Sequence, residues 1–274
     1  MSWERQITIK TPEEIKIMRT AGRINAEALS AVHALIKPGV ATLELNEAAE
    51  AVHRQYGVYS PFKNYPGPIP FPASICVSIN DELVHGIPGD YRLKEGDIVS
   101  VDCGTVYEGF VGDSAFTAAV GSIDPQAQKL LTVTEQALYV GIDRMRAGNH
   151  IGDVSSAIES CVESSGFYIT REYTGHGVGR KMHEGPQVPN YGIPGRGMKL
   201  RPGITVALEP MVLVSTASTR VQKDRWAVAS LDGSLTAHFE HSIAVTQDGP
   251  YILTVLEDGS SPGQIAGQLN KGVL

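Results

Sequence analysis

The chain is poor in cysteine: its 274 residues carry three, Cys76, Cys103 and Cys161. An odd count without paired spacing excludes a disulfide-stapled secreted scaffold and predicts reduced thiols in a cytoplasmic setting. A positive excess is also missing. Lys and Arg number 23 against 30 Asp and Glu, a formal net charge of −7, which argues against a dedicated nucleic-acid binder. No apolar run is long enough to cross a membrane. The longest, "ITVALEPMVLV", is about half a spanning helix and is broken by Glu209 and Pro210. The opening "MSWERQITIKTPEE" is polar and charged, with no signal-peptide pattern. What remains, 42% hydrophobic and 19% charged, predicts a soluble protein of one sizeable domain or two small ones.

Four helices are signposted. Thr11 caps the first, Pro12 suits its first turn and Glu14 completes a capping box. Ile15, Met18, Ala21, Ala28, Leu29, Val32 and Leu35 follow helical spacing, with Asn25 the one polar interruption, and "KPG" ends the run. A second helix fits roughly 43–56 and stops at Gly57; a third starts at Asp124-Pro125 and ends at "RAG"; a fourth fits roughly 150–164 and stops at Gly166. These pairs align with each other. "KPGVATLELNEAAEAVHRQYGVY" (37–59) matches "RAGNHIGDVSSAIESCVESSGFY" (146–168) without a gap, and "LKEGDIVSVD" (93–102) matches "LRPGITVALE" (200–209), setting Asp102 on Glu209. The chain is expected to be two α+β halves related by a pseudo-twofold axis, roughly 11–121 and 122–255, with their strands merged into one central, mostly antiparallel sheet flanked by helices.

The stretch "IVSVDCGTVYEGFVGDSA" places Asp102 and Asp113 in apolar, strand-like sequence around a turn. A two-residue turn at Tyr107-Glu108 sets these acids directly opposite, their Cβ atoms roughly 5 Å apart. Buried like charges cost several kcal/mol unless neutralised. Either a proton is shared or a cation sits between them; an exposed hairpin with solvated acids is the bland alternative, and the surrounding Ile, Val and Phe speak against it. Glu209 ends one apolar run and Glu240 lies inside another, "LTAHFEHSIAVT"; by the duplication these two should also face each other. No lysine or arginine adjoins any of the four acids in these strands. His176, in the glycine-rich "YTGHGVGRKMHEGP", adds a nitrogen donor. Two Asp, two Glu and one His suit a pair of divalent ions such as Mn, Fe(II), Co or Zn, held roughly 3.5–4 Å apart as in two-metal hydrolases. By residue type alone, His85 and His183 are as well explained by a structural loop histidine and a solvent-exposed one.

Six segments, "SINDELVHGIP", "SVDCG", "GFVGDSAFT", "YTGHGVG", "ALEPM" and "FEHSIAVT", occur in order between residues 78 and 246. Together they resemble type I methionine aminopeptidases of the pita-bread fold, in the compact bacterial form. The resemblance implies that Asp102, Asp113, His176, Glu209 and Glu240 hold two divalent metal ions, with Asp113 and Glu240 bridging. It implies that Glu209 shuttles a proton, that His85 and His183 contact the substrate and the developing oxyanion, that Cys76 lines a methionine pocket with Phe71 and Tyr65, and that Trp226 stands at the rim. The implied reaction is removal of the N-terminal methionine from nascent proteins and peptides by water activated between the two metals. It further implies one catalytic domain spanning 1–274, a monomer, cytoplasmic and ribosome-proximal, with no nucleic-acid or membrane partner. The short stretch before Thr11 leaves no zinc-binding extension, and the 26 positions from His183 to Glu209 leave no room for a type II insertion. Two departures stand out: "FKNYPGPIPFPASIC" (62–76) is proline-rich and longer than the usual pattern, and Met182 replaces an aromatic. His238 and His241 match no ligand and read as supporting or structural residues, Cys103 as facing away from the acids, and Cys161 as helix core. The rivals are a proline-directed aminopeptidase or dipeptidase of the same fold and a scaffold that has lost its metals.

Overall fold

The computed structural model describes residues 7–264; the first six and last ten residues, which include part of the polar opening stretch and both ends of the single-domain span, lie outside the described residues. Helix α1 (Pro12–His33) carries the expected capping box, Thr11 accepting from the Glu14 N–H and the Glu14 carboxylate accepting from the Thr11 N–H. Its apolar stripe from Met18 to Val32 is buried, but Leu35 lies past the end of the helix and is exposed. Helix α2 (Thr42–Tyr56) stops where Gly57 turns left-handed. Helices α3 (Pro125–Arg144) and α4 (Ile151–Ser164) start at Asp124 and His150. Cys161 on α4 is half-buried at the core's edge rather than inside it.

The strands are short apart from one hairpin. They run β1 (Ile75–Ile79), β2 (Glu82–Val84), β3 (Ile98–Tyr107), β4 (Phe110–Ala119), β5 (Tyr168–Ile169), β6 (Gly175–Gly177), β7 (Glu184–Val188), β8 (Thr205–Leu208), β9 (Met211–Leu213), β10 (Thr219–Val221), β11 (Val228–Ser230), β12 (Thr236–His238), β13 (Glu240–Val245) and β14 (Pro250–Ile252). The main sheet has the order β1-β3-β4-β13-β8-β6-β7, with β14 also on β13, and every pairing is antiparallel. Strands β4 and β13 join the sequence before α3 to the sequence after it. Two small sheets, β10-β11-β2 and β12-β9-β5, carry the excursion between β8 and β13. The large apolar core lies between the four helices and one face of the main sheet, where Val99, Val101, Cys103, Val206 and Ile243 point. By strand alternation the residues between them point to the other face. Among the described residues no helix is long and apolar enough to cross a membrane.

The hairpin turn differs from expectation. Tyr107 pairs with Phe110, so the turn is Glu108-Gly109, both with positive φ (48° and 77°). That is the geometry a tight hairpin favours, and glycine supplies it at the second position. Asp113 therefore faces Gly104, and Asp102 faces Ala115. The acids are diagonal neighbours rather than directly opposed. The register moved by two residues, which keeps both side chains on one face.

Candidate metal centre

One row of register partners crosses the main sheet: Cys76 against Asp102, Asp102 against Ala115, Ala115 against Glu240. Strand β8 pairs with β13 at Leu208 and His241, so the next step of that register sets Glu209 against Glu240, as the internal duplication led one to expect. The small Ala115 side chain leaves space between two acids. Asp113, two residues before Ala115, belongs to the same face, and so does His176, whose partner Ala207 lies two residues before Glu209. Five residues from four strands and the end of a fifth thus meet by alternation alone.

The distances bear this out. His176 Nε2 is 3.7 Å from Asp113 Oδ2 and 3.5 Å from Glu209 Oε1. One possible ligand atom from each of Asp113, His176 and Glu240 lies within 4.8 Å of the others. So do atoms of Glu209, His238 and Glu240. Asp102 completes neither close group but lines the same cavity. His183 stacks at an angle on His176, ring centroids 4.3 Å apart, and its Nδ1 is 2.8 Å from Tyr65 Oη.

The electrostatics show what the cluster requires. Burial, aided by repulsion from Glu209 and opposed by His238, pushes Asp102 up to about 7. Burial first, and then the neighbouring carboxylates, push Asp113 and Glu240 well above the usual range; burial does the same for Glu209. Burial holds His176 down to about 3 and His85 down to about 4. Asp102 Oδ1, Asp113 Oδ1, Glu240 Oε1 and His238 Nε2 are buried without a hydrogen-bond partner, and no lysine or arginine is among the residues lining the cavity. Orphaned oxygens of this kind cost free energy unless something positive neutralises them. An oxygen-rich set with imidazole fits borderline or hard divalent cations.

The acids form the floor of a cavity of about 390 Å³. Its apolar side holds Phe62, Tyr65, Phe71 and Cys76, with Met182 and Trp226 packed against them. Burial, with Asp102 beside it, raises the Cys76 thiol well above its ordinary value, so it is a neutral wall atom. Trp226 meets the Phe71 ring edge-on at 5.3 Å and donates from Nε1 to the Ile69 carbonyl at 2.8 Å. The extra proline-rich loop is thereby tied to the rim. His85 lies between Tyr173 and Trp226, with its backbone left-handed at φ 61°. Such strain persists where the surroundings over-determine it, commonly at functional sites.

Two flanking residues divide as their positions dictate. His241 points away from the acids and is held by Thr254 (2.8 Å) and Ser261 (3.1 Å). His238, two residues from Glu240, lines the cavity; the period-two spacing in "AHFEH" was the available signal for it. Cys103 packs in the core on the opposite face, as expected.

The model of metallopeptidase family M24 matches residues 16–247. The chain belongs to metallopeptidase family M24. Among family members it is 47% identical over 252 residues to a methionine aminopeptidase of Clostridium acetobutylicum, covering 92% of this chain and 100% of that one. It is 47% identical over 248 residues to methionine aminopeptidase 1 of Bacillus subtilis, covering 90% and 99%. The crystal structure of the Thermotoga maritima methionine aminopeptidase superimposes with a TM-score of 0.88 at 45% identity, over 90% of this chain and 99% of that one. A Pyrococcus furiosus prolidase shares the fold at 22% identity, with a TM-score of 0.73 over 93% of this chain and 67% of its own. The architecture of this M24 chain is the pita-bread fold.

Proposed function

We propose that this M24 chain is a methionine aminopeptidase that removes the N-terminal methionine from nascent proteins and peptides. The observation that carries the reading is the convergence of Asp102, Asp113, Glu209 and Glu240 with His176 in one cavity that also has an apolar wall, with oxygens of Asp102, Asp113 and Glu240 left orphaned. These five residues would hold two divalent cations. When bound, the cations supply Lewis-acid polarisation of the scissile carbonyl and lower the pKa of a water toward neutrality. Glu209 is placed to take a proton from the attacking water and to pass it to the leaving amine. His183 and His85 donate to the oxyanion that develops on the carbonyl. Phe62, Phe71, Cys76 and Met182 receive the unbranched thioether, and Trp226 closes the rim. We further read the chain as one catalytic unit with an internal repeat, acting as a cytoplasmic monomer near the ribosome; whether Co, Mn, Fe(II) or Zn fills the site is set by supply as much as by ligands.

The test is titration of the metal-stripped protein with each cation, reading turnover of Met-Ala-Ser against an X-Pro peptide. Metal-dependent release of methionine from the first peptide alone is expected. Glu209→Gln should lower kcat by about 10²–10⁴-fold; preference for the X-Pro peptide, or unchanged turnover in that variant, would refute the assignment or the role of Glu209 respectively.

A further inference from the structure

His238 ends β12, outside the main sheet, and a single hydroxyl clamps its backbone. Its N–H donates to Thr117 Oγ1 at 2.9 Å, and the same hydroxyl donates to its carbonyl at 2.9 Å. The imidazole is 2% exposed, yet its Nε2 has no hydrogen-bond partner. That nitrogen stands 3.6 Å from Glu209 Oε2 and 3.8 Å from Glu240 Oε2. A buried polar atom left idle costs free energy, so its placement among acids calls for a use.

Which oxygen it faces decides the use. Glu209 Oε1 lies toward His176 Nε2, at 3.5 Å, while Oε2 lies toward His238. One carboxylate therefore shows one oxygen to each histidine. The oxygen on the His176 side is the one that would share a cation with His176; the oxygen on the His238 side is left to carry a proton. A bare ring lone pair facing two carboxylate oxygens would be repelled, whereas an N–H there is attracted to both.

We propose that His238 is a positioning residue for Glu209: its Nε2–H donates to Glu209 Oε2 and keeps Oε1 turned toward the cation site beside His176. The inference rests on the reading of Glu209 as the proton carrier. The present separation exceeds an ordinary N–H···O bond by roughly half an ångström, so the proposed bond requires the ring or the carboxylate to move by that amount. Loss of such an outer partner typically costs 10–100-fold in metal affinity or activity.

The experiment uses the full chain, stripped and reloaded with Co(II), as the unmutated protein, His238→Gln and His238→Leu. X-ray absorption counts imidazoles bound to cobalt, calorimetry gives cobalt affinity, and Met-Ala-Ser turnover gives kcat and KM. One bound imidazole is expected in all three proteins. His238→Leu should lower kcat about 10–100-fold with KM within about twofold, and weaken cobalt binding about tenfold. His238→Gln, whose amide can offer an N–H at a similar place, should recover most of both losses. A second cobalt-bound imidazole that His238→Leu removes would make His238 a ligand and overturn the proposal. So would unchanged kcat in His238→Leu, or a glutamine variant no better than leucine. Should the leucine variant not fold, His238→Ala takes its place, with the same loss of kcat expected and an unchanged kcat overturning the proposal. Glu209→Gln run in parallel separates the failures: if it keeps turnover, the proton-carrier reading falls and this inference with it; if it loses turnover while His238→Leu keeps it, this inference alone falls.

Discussion

Tyr65 shows how one hydrogen bond can fix the chemistry of another residue. Its hydroxyl meets His183 Nδ1 at 2.8 Å, and the two rings lie edge to face at 5.6 Å. If the phenol donates, Nδ1 is the acceptor and the ring proton sits on Nε2, free to donate into the cavity, which is the tautomer an oxyanion stabiliser needs. Tyr65→Phe should remove that bias and lower kcat about tenfold with little change in KM, while ¹⁵N shifts of the His183 ring move toward a mixture of tautomers; unchanged shifts would show that the tyrosine does not set it. At this scale the sequence was most legible where residues repeat every second position. Asp102 and Asp113 could be brought to one face from the hairpin pairing, and Glu209 and Glu240 from the internal duplication. Tyr65 and Phe71 could not be placed so firmly, because the proline-rich insertion that carries them has no period, and its path is fixed by contacts such as Trp226 Nε1 to the Ile69 carbonyl.

Among the elements, α1 and β4 show how tightly the sheet bearing the acids is held. A Cβ added at Gly112 would lie 2.6 Å from Gly22 N and 2.7 Å from Gly22 Cα, and one at Gly22 would lie 2.2 Å from the Leu253 carbonyl oxygen. Helix, strand and the chain after β14 thus touch backbone to backbone. Asn25, the polar interruption of the α1 stripe, donates to Ser114 and accepts from Thr105, and Thr105 in turn meets His53 of α2. Gly112 immediately precedes Asp113, so strain there is transmitted to the site. Gly112→Ala should cost about 1–3 kcal/mol in urea unfolding and weaken cation binding; an unchanged midpoint and affinity would mean that α1 shifts freely. Helix ends were legible because caps and glycines act locally: Thr11, Gly57 and Asp124 all behaved as their residue types dictate. The hairpin register was misplaced because turn type depends on which two residues take positive φ, and Glu108 gave no sign of it.

For the whole molecule the decisive quantity is the uncompensated charge on the cavity floor, and it has a pH signature in the metal-stripped protein. Burial raises Asp102 to about 7 and holds Asp113, Glu209 and Glu240 well above their ordinary values. A carboxyl with a raised folded-state value binds its proton more tightly folded than unfolded. Stability therefore falls as pH rises, from the unfolded value near 4 up through the folded one. Buried histidines act in the opposite sense. His53, His85 and His241 are each held down to about 4 and His176 to about 3, so they withhold stability as pH falls below about 6.5. The two effects oppose each other between about 4 and 6.5; above that the acids carry the slope until the buried thiols of Cys76 and Cys103 join them as pH nears 8.5. The Tm of stripped protein should accordingly fall from pH 6.5 to 7.5. A divalent cation ligated by the carboxylates should raise Tm and flatten that slope, because the charge it neutralises is the charge that titrates. A stripped protein whose Tm is level across that range, or a slope that survives saturating cation, would mean that the four acids are not mutually uncompensated, and the metal centre would lose its physical basis.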